Sequence, residues 1–168
     1  YASEDFELIM ASTIDKFADE ASVRRYSSFE HLADKTRVFK ASRNEETLKL
    51  SLSIISEFAK SNVVPATRKY LISKDYSNTR DDRHSVYKYD GNLILDSKYE
   101  VQSINGDLAR VGIGSAWGVY NLKKEKLLED VKHLNLIVHN DNLYSVGTIK
   151  ENGILTTFKD ANGKKIVS

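Results

Sequence analysis

The chain has 168 residues, with 25 lysines and arginines against 24 aspartates and glutamates, four histidines and no cysteine. That length supports one good core or two small ones that lean on each other, and the ordinary apolar share belongs to a soluble globular protein rather than a disordered one. The missing cysteine excludes disulfides, thiol nucleophiles and thiolate metal sites, and no run reaches the roughly 20 apolar residues of a membrane span.

Tyr1 in place of an initiating methionine implies that upstream residues were removed, as a signal segment in the cell or by trimming. Under the first alternative this is a processed exported or periplasmic protein; the absence of cysteine suits either compartment.

In chain order, Ser3 with Glu4 and Asp5 behind it forms a helix start. Phe6, Ile9, Met10, Ile14, Phe17, Ala18 and Ala21 follow at the three- and four-residue steps of an amphipathic helix. Ser27 and Glu30 make a capping box for a second helix through Phe29, Leu32, Ala33, Thr36 and Phe39. Asn44, Glu45 and Glu46 open a third, whose Leu48, Leu50, Leu52, Ile54, Ile55 and Phe58 cover more than half of its circumference and predict burial on two sides. Pro65, the only proline, suits the first position of a short fourth helix, while Tyr70, Leu71 and Ile72 suit that helix or a first strand equally.

Residues 75–84 are dense in turn formers and are expected to link a helical region, 1–74, to a β region, 85–168. In the latter, short β-prone runs alternate with turns, and Asp90-Gly91, Asn105-Gly106 and Asn162-Gly163 are dipeptides favoured in two-residue hairpin loops. The expected class is therefore α+β: three or four N-terminal helices followed by an antiparallel β-meander.

The β region repeats. Ile104 to Gly112 aligns with His139 to Gly147 at an offset of about 35 residues, sharing Asn, Leu and Val-Gly. Val86-Tyr87-Lys88-Tyr89 likewise matches Val119-Tyr120-Asn121-Leu122, and Leu155 to Phe158 begins a truncated third copy, so about 2.5 units are visible. Trp117-Gly118-Val119-Tyr120 and the run from Phe158 to Val167 resemble bacterial WG β-repeats, in which a Trp-Gly pair starts a strand and a polar-Gly-Lys turn closes a hairpin. His84-Ser85 stands where the first unit would carry Trp-Gly, and the proline and Tyr-Asp common after the hairpin are missing. The resemblance covers residues 84–168 and implies a bacterial, non-catalytic β-sheet used for binding.

Independently of that resemblance, strand alternation points Trp117 and Val119 one way and Gly118 and Tyr120 the other, leaving at the glycine a gap for a neighbour. Aligned copies place Tyr87, Tyr89, Tyr120, Leu122 and Phe158 on one face, which is core or a binding surface. Trp117, Tyr120, Tyr87, Tyr89 and Tyr144 are the candidate binding residues.

Catalytic templates are missing. No Gly-x-Ser-x-Gly or phosphate loop occurs, and Gly112-Ile113-Gly114 lies between strands. The four histidines form no His-x-x-x-His pair, and Asp81, Asp82 and His84 are the one weak metal candidate, inside a charged linker. Paired carboxylates such as Glu129-Asp130 are expected at helix starts or turns. The expectation is a chain that is not an enzyme, needs no cofactor and binds another protein. The alternative is a toxin-neutralising inhibitor of the immunity type. A nucleic-acid partner for the basic segment 24–80 ranks third, because the balanced total charge supplies no long-range field.

Overall fold

Strands, not helices, fill the described chain. The computed structural model describes residues 8–13, 35–43, 46–47, 49–58, 63–74 and 83–168. Among them are fourteen strands and no helix, so the α+β expectation is corrected to an all-β fold of antiparallel sheets. Leu8–Thr13 (β1) and Leu50–Phe58 (β3) lie within, and Lys35–Arg43 (β2) overlaps, the three stretches expected as helices. Val63–Pro65 (β4) ends on the proline expected to open a helix, and Tyr70–Lys74 (β5) takes the strand alternative. Glu46 and Thr47 form a turn and residues 66–69 a bend in place of the third and fourth expected helices, while the rest of the first two and the linker residues Asp81 and Asp82 lie outside the described residues. No helix among the described residues is long and apolar enough to cross a membrane.

The chain divides into two compact units, Tyr1–Lys74 with Val86–Leu93, and Asp75–Ser85 with Ile94–Ser168. His84–Lys88 (β6) and Leu93–Asn105 (β7) each contribute residues to both.

In the first unit β1, β2 and β3 are hydrogen-bonded side by side. Thr36 and Val38 are buried while Lys40 is exposed, and a bulge at Val38/Phe39 shifts the pairing by one residue. Directly opposite across the pair, the Arg37 Nε donates to Glu57 Oε2 at 2.7 Å. Val38, Val63, Leu71 and Tyr89 form the core, with Phe58 and Tyr87 against it. Leu52 and Ile54 are exposed instead, which overturns the burial on two sides expected of a helix here.

The second unit holds two sheets in meander order. One is β7 with Leu108–Ile113 (β8), Ala116–Asn121 (β9) and Lys126–His133 (β10). The other is Asn135–Val138 (β11), Leu143–Lys150 (β12), Gly153–Asp160 (β13) and Lys165–Val167 (β14). They pack on each other through Leu108, Val119, Leu136, Tyr144 and Val146, flanked by Trp117, Leu128, Val138 and Ala161. Each fully buried large side chain there is worth roughly 1.5–3 kcal/mol of transfer free energy.

The turns carry the repeat. Gly91 N–H donates to Lys88 O and Lys88 N–H to Asn92 O; the same pair of bonds joins Gly163 to Asp160 and Asp160 to Lys164. Both are three-residue loops closed by a left-handed glycine, Gly91 at φ 92° and Gly163 at φ 84°. At the equivalent place in the β9–β10 loop, Glu125 takes φ 52° without being glycine. Asn105 pairs with Leu108, so the two-residue loop there is Gly106-Asp107, one residue later than the dipeptide suggested.

The two turns aligned by the 35-residue offset also touch. A Cβ on Gly106 would lie 2.4 Å from Asp141 Cβ, and Gly106 is at φ 57°. Gly114 has nearly the same φ, 60°, but open space around it. Gly106→Ala is therefore expected to cost about 2–4 kcal/mol, the left-handed strain plus overpacking, and Gly114→Ala only about 1 kcal/mol. Urea midpoints of the two variants check the difference, and Asp141→Gly should recover the overpacking part of the first.

Candidate functional site

The registers of β11–β14 sort their side chains into two faces. Leu136, Tyr144 and Val146 point into the core, so their neighbours along each strand point outward. Cross-strand partners share a face, and Ile137 opposite Ser145, Ile149 opposite Ile154, and Phe158 opposite both Ser145 and Val167 compose the outer one. Ile137, Ile149, Ile154 and Val167 are 58, 68, 59 and 54% exposed. Beside Asn135 and Thr156, polar cover comes from His139 Nε2 and Ser145 Oγ, which are hydrogen-bonded at 2.8 Å, and the imidazole stacks on Phe158 at 5.7 Å. Gly147 lets the strands close up, since a Cβ there would meet Asn135 Cβ at 2.9 Å and Ile154 Cγ2 at 3.1 Å. Beside it is an open recess of about 310 Å³ lined by His133, Leu134, Asn135 and Ile149 among others.

The inner face carries a buried polar cluster around Tyr144. Tyr144 is fully buried and its hydroxyl donates to Glu129 Oε1 at 3.0 Å. Lys159, opposite Tyr144 on β13, pairs with the same carboxylate oxygen, and His133 Nε2 lies 3.5 Å from Glu129 Oε2, beyond good hydrogen-bonding distance. Glu129 thus sits within β10 as the acceptor of an intersheet cluster, rather than at a helix start or turn. Burial first, then the Glu129 charge and hydrogen bond, push the Tyr144 phenol well above its ordinary pKa.

The candidate aromatic residues fall in separate environments. Trp117 is half-buried, with the Arg110 guanidinium 4.0 Å from its ring centroid, and its indole lies where a Cβ on Gly112 would be. Tyr120 is half-buried on the opposite face of β9, its phenol raised by burial, then by Glu125 and Tyr99. Gly118 leaves the gap read from the sequence, where a Cβ would meet Glu129 O at 2.5 Å and Val131 Cγ2 at 2.9 Å. Tyr87 and Tyr89 belong to the first unit: Tyr87 meets Phe58 edge to face at 5.1 Å, and the buried Tyr89 donates its hydroxyl to Thr67 O at 3.0 Å. Four candidates thus divide between two clusters, Tyr87 with Tyr89 in the first unit and Trp117 with Tyr144 in the second.

Of the weak metal candidates only His84 is described. It is buried, and its Nδ1 accepts the Val101 N–H at 2.8 Å, a structural role in the second unit. Among the described residues no three His, Asp or Glu side chains converge as metal ligands. The outer isoleucines were not singled out from sequence. Their signal was the placement of Ile137, Ile149 and Ile154 on the face opposite Leu136, Tyr144 and Val146 in short alternating runs. No family model, no curated protein and no solved structure matches the chain.

Two outcomes are expected here. Trp117→Ala removes a half-buried indole and should cost about 2–4 kcal/mol, below the 3–5 of a fully buried aromatic site. Tyr144→Phe leaves Glu129 one donor short and should cost about 1–2 kcal/mol at neutral pH. Because the folded-state phenol is raised, its contribution is fully present below the ordinary tyrosine value of 10 and is lost as pH rises above it toward the folded-state value. The stability gap between the wild type and Tyr144→Phe should therefore narrow above pH 10, as measured by denaturant unfolding at pH 8 and 11.

Proposed function

We propose that this chain is a non-catalytic protein-binding module that receives a partner protein on the outer face of the β11–β14 sheet. The observation that carries the proposal is the exposed apolar set of Ile137, Ile149, Ile154 and Val167 on a sheet whose other face packs on the core through Leu136, Tyr144 and Val146. An antiparallel sheet with one face on the core ordinarily turns polar residues outward, so the cross-strand isoleucines Ile149 and Ile154, beside the β12–β13 turn, are exposed apolar surface of the kind that marks interaction sites.

The chemistry of the face selects the class of partner. It is a sheet surface rather than an enclosed cavity, which suits another protein better than a small ligand. Its outward row of isoleucine, valine, threonine and phenylalanine bears no cation, which disfavours a phosphate backbone there. Asn135 and His139 on border strand β11 and its exit supply a polar margin, while Thr156 lies among the apolar residues of β13. The proposal keeps the kinship to WG β-repeats as its account of the hairpins, in which a strand-starting Trp117-Gly118 packs the interior while the last hairpins present the surface.

Photo-crosslinking tests this directly. A benzoylphenylalanine at position 154 is expected to capture one protein partner from the native cell. The purified pair should then lose at least ten-fold in affinity when Ile149 and Ile154 are both changed to Lys, with folding stability altered by no more than about 1 kcal/mol because both side chains are exposed. A double variant that binds its partner as tightly as the wild type would remove this face from the function.

A further inference from the structure

The hairpins of the second unit repeat in register as well as in loop chemistry. In β8–β9, Leu108 pairs with Asn121, Arg110 with Val119 and Gly112 with Trp117. In β12–β13, Leu143 pairs with Asp160, Ser145 with Phe158 and Gly147 with Thr156. The first members of these pairs are related by the 35-residue offset read from the sequence. The next hairpins agree too. Val119 pairs with Glu129 and Tyr120 with Leu127 in β9–β10, Phe158 with Val167 and Lys159 with Lys165 in β13–β14, each with a shift in register between the two pairs. Strand pairing thus sets Phe158 in the place of Val119, not of Leu122 as the sequence copies suggested.

This equivalence links the outer face to an interface already formed. Leu108 and Val119 share one face of β8–β9, and both are fully buried in one cluster with Leu136, Tyr144 and Val146, so the hairpin β11–β12 covers that face. Their counterparts Leu143 and Phe158 lie on the outer face of β12–β13 and are only half-buried. The outer face therefore occupies the repeat position that takes a covering hairpin one unit earlier. Repeats that stack in this way bury each apolar face against a neighbour of the same kind.

Three differences between the two positions set the chemistry of the cover. Val167 stands where Glu129 does, so the Tyr144 hydroxyl and the Lys159 ammonium, which answer Glu129 in the formed interface, have no counterpart to meet. An apolar row is required there. Thr156 stands where Trp117 does, and the indole that lies over Gly112 is missing over Gly147, where the recess of about 310 Å³ is open instead. One bulky side chain of the cover fits that recess. Asp160 stands where Asn121 does. Asn121 Nδ2 donates to Ala161 O at 3.1 Å, whereas a carboxylate only accepts, so the cover brings an N–H or hydroxyl to Asp160. A second copy of this chain keeps its own Leu136, Tyr144 and Val146 buried and does not present such a covering row.

On the reading of the outer face as an interaction surface, we propose that the partner covers it with an antiparallel β-hairpin of the same repeat type, stacked on β12–β13 as β11–β12 stacks on β8–β9. Its inward row is apolar over Leu143, Phe158 and Val167, with one bulky side chain in the recess beside Gly147.

The test adds such a unit to the whole chain. Residues 131–168 are repeated after Ser168, which occupies the place of Asp130, and the added copy carries Tyr144→Phe and Lys159→Met to suit Val167. In the lengthened chain the Phe158 ring should show NMR cross-relaxation to Leu136 and Val146 of the added copy, and unfolding should be a single transition at a higher urea midpoint. Leu143→Asn in the original copy should lower that midpoint further than it lowers the midpoint of the natural chain. An added copy that stays unstructured beside an unmoved Phe158 would overturn the assignment. Sedimentation of the natural chain needs no added unit, and it should show a monomer at micromolar concentration. A dimer abolished by Ile149→Lys with Ile154→Lys would put a second copy on the face, which sinks the hairpin and leaves the face an interaction surface. The opposite failure, a partner whose affinity ignores that double substitution, removes the function of the face and is read in a separate experiment.

Discussion

The second unit turns on one buried polar contact, the Tyr144 hydroxyl on the Glu129 carboxylate. Apolar surfaces alone do not choose a register, because sliding one sheet over another by a residue pair buries nearly the same area. A hydrogen bond to a charged acceptor does choose, since a displaced Glu129 would be left buried without its donors, at a cost of several kcal/mol. Lys159 completes the arrangement by bringing a compensating charge from the strand opposite Tyr144. The cluster therefore fixes where β10 lies over β12 and β13, and with it which isoleucines of the second sheet are left facing outward.

Around that contact the unit is built from hairpins that reuse the same loop chemistry. The loops at Gly91 and Gly163 share a hydrogen-bond pattern and a left-handed glycine, and between them Glu125 adopts the same backbone region at a steric cost. The 35-residue offset reappears in space as well as in sequence, since the turn at Gly106 rests on the turn at Asp141 with no room for a side chain between them. Stacking of this kind ties neighbouring hairpins at their tips, where strand pairing has already ended.

Legibility in the sequence followed the turns. Where Gly, Asn and Asp punctuated the chain, hairpins were placed within a residue or two, and at Trp117-Gly118 even the gap beside the strand was foreseeable. The N-terminal half lacks such punctuation, and its strands were misread as helices for a specific reason. A spacing of four residues satisfies a strand as well as a helix, so Leu50, Ile54 and Phe58 fit both patterns. The discriminating residue was Leu52, which with Ser51 and Ser53 makes a period of two. The bulge at Val38/Phe39 added a three-residue step to Thr36 and Phe39, imitating helical spacing in a strand. Glu129 was undervalued because a carboxylate in sequence does not reveal its depth, and Tyr144 and Lys159, which explain it, come from strands 15 and 30 residues away.

The exposed isoleucines are best understood against the way the same sheet treats its edges. An open sheet invites pairing along its border strands, and proteins blunt that tendency with short strands and lysine. Here both border strands are short, four residues in β11 and three in β14, and β14 carries Lys165. The two central strands, by contrast, run for eight residues each and place Ile149 opposite Ile154 on the outer face. The edges are thus blunted while the face stays apolar. The core cluster draws on Leu136, Tyr144 and Val146 from this sheet and not on those isoleucines. Under the proposed function, a face contact rather than strand addition is the geometry that short, lysine-bearing edges and an apolar face favour.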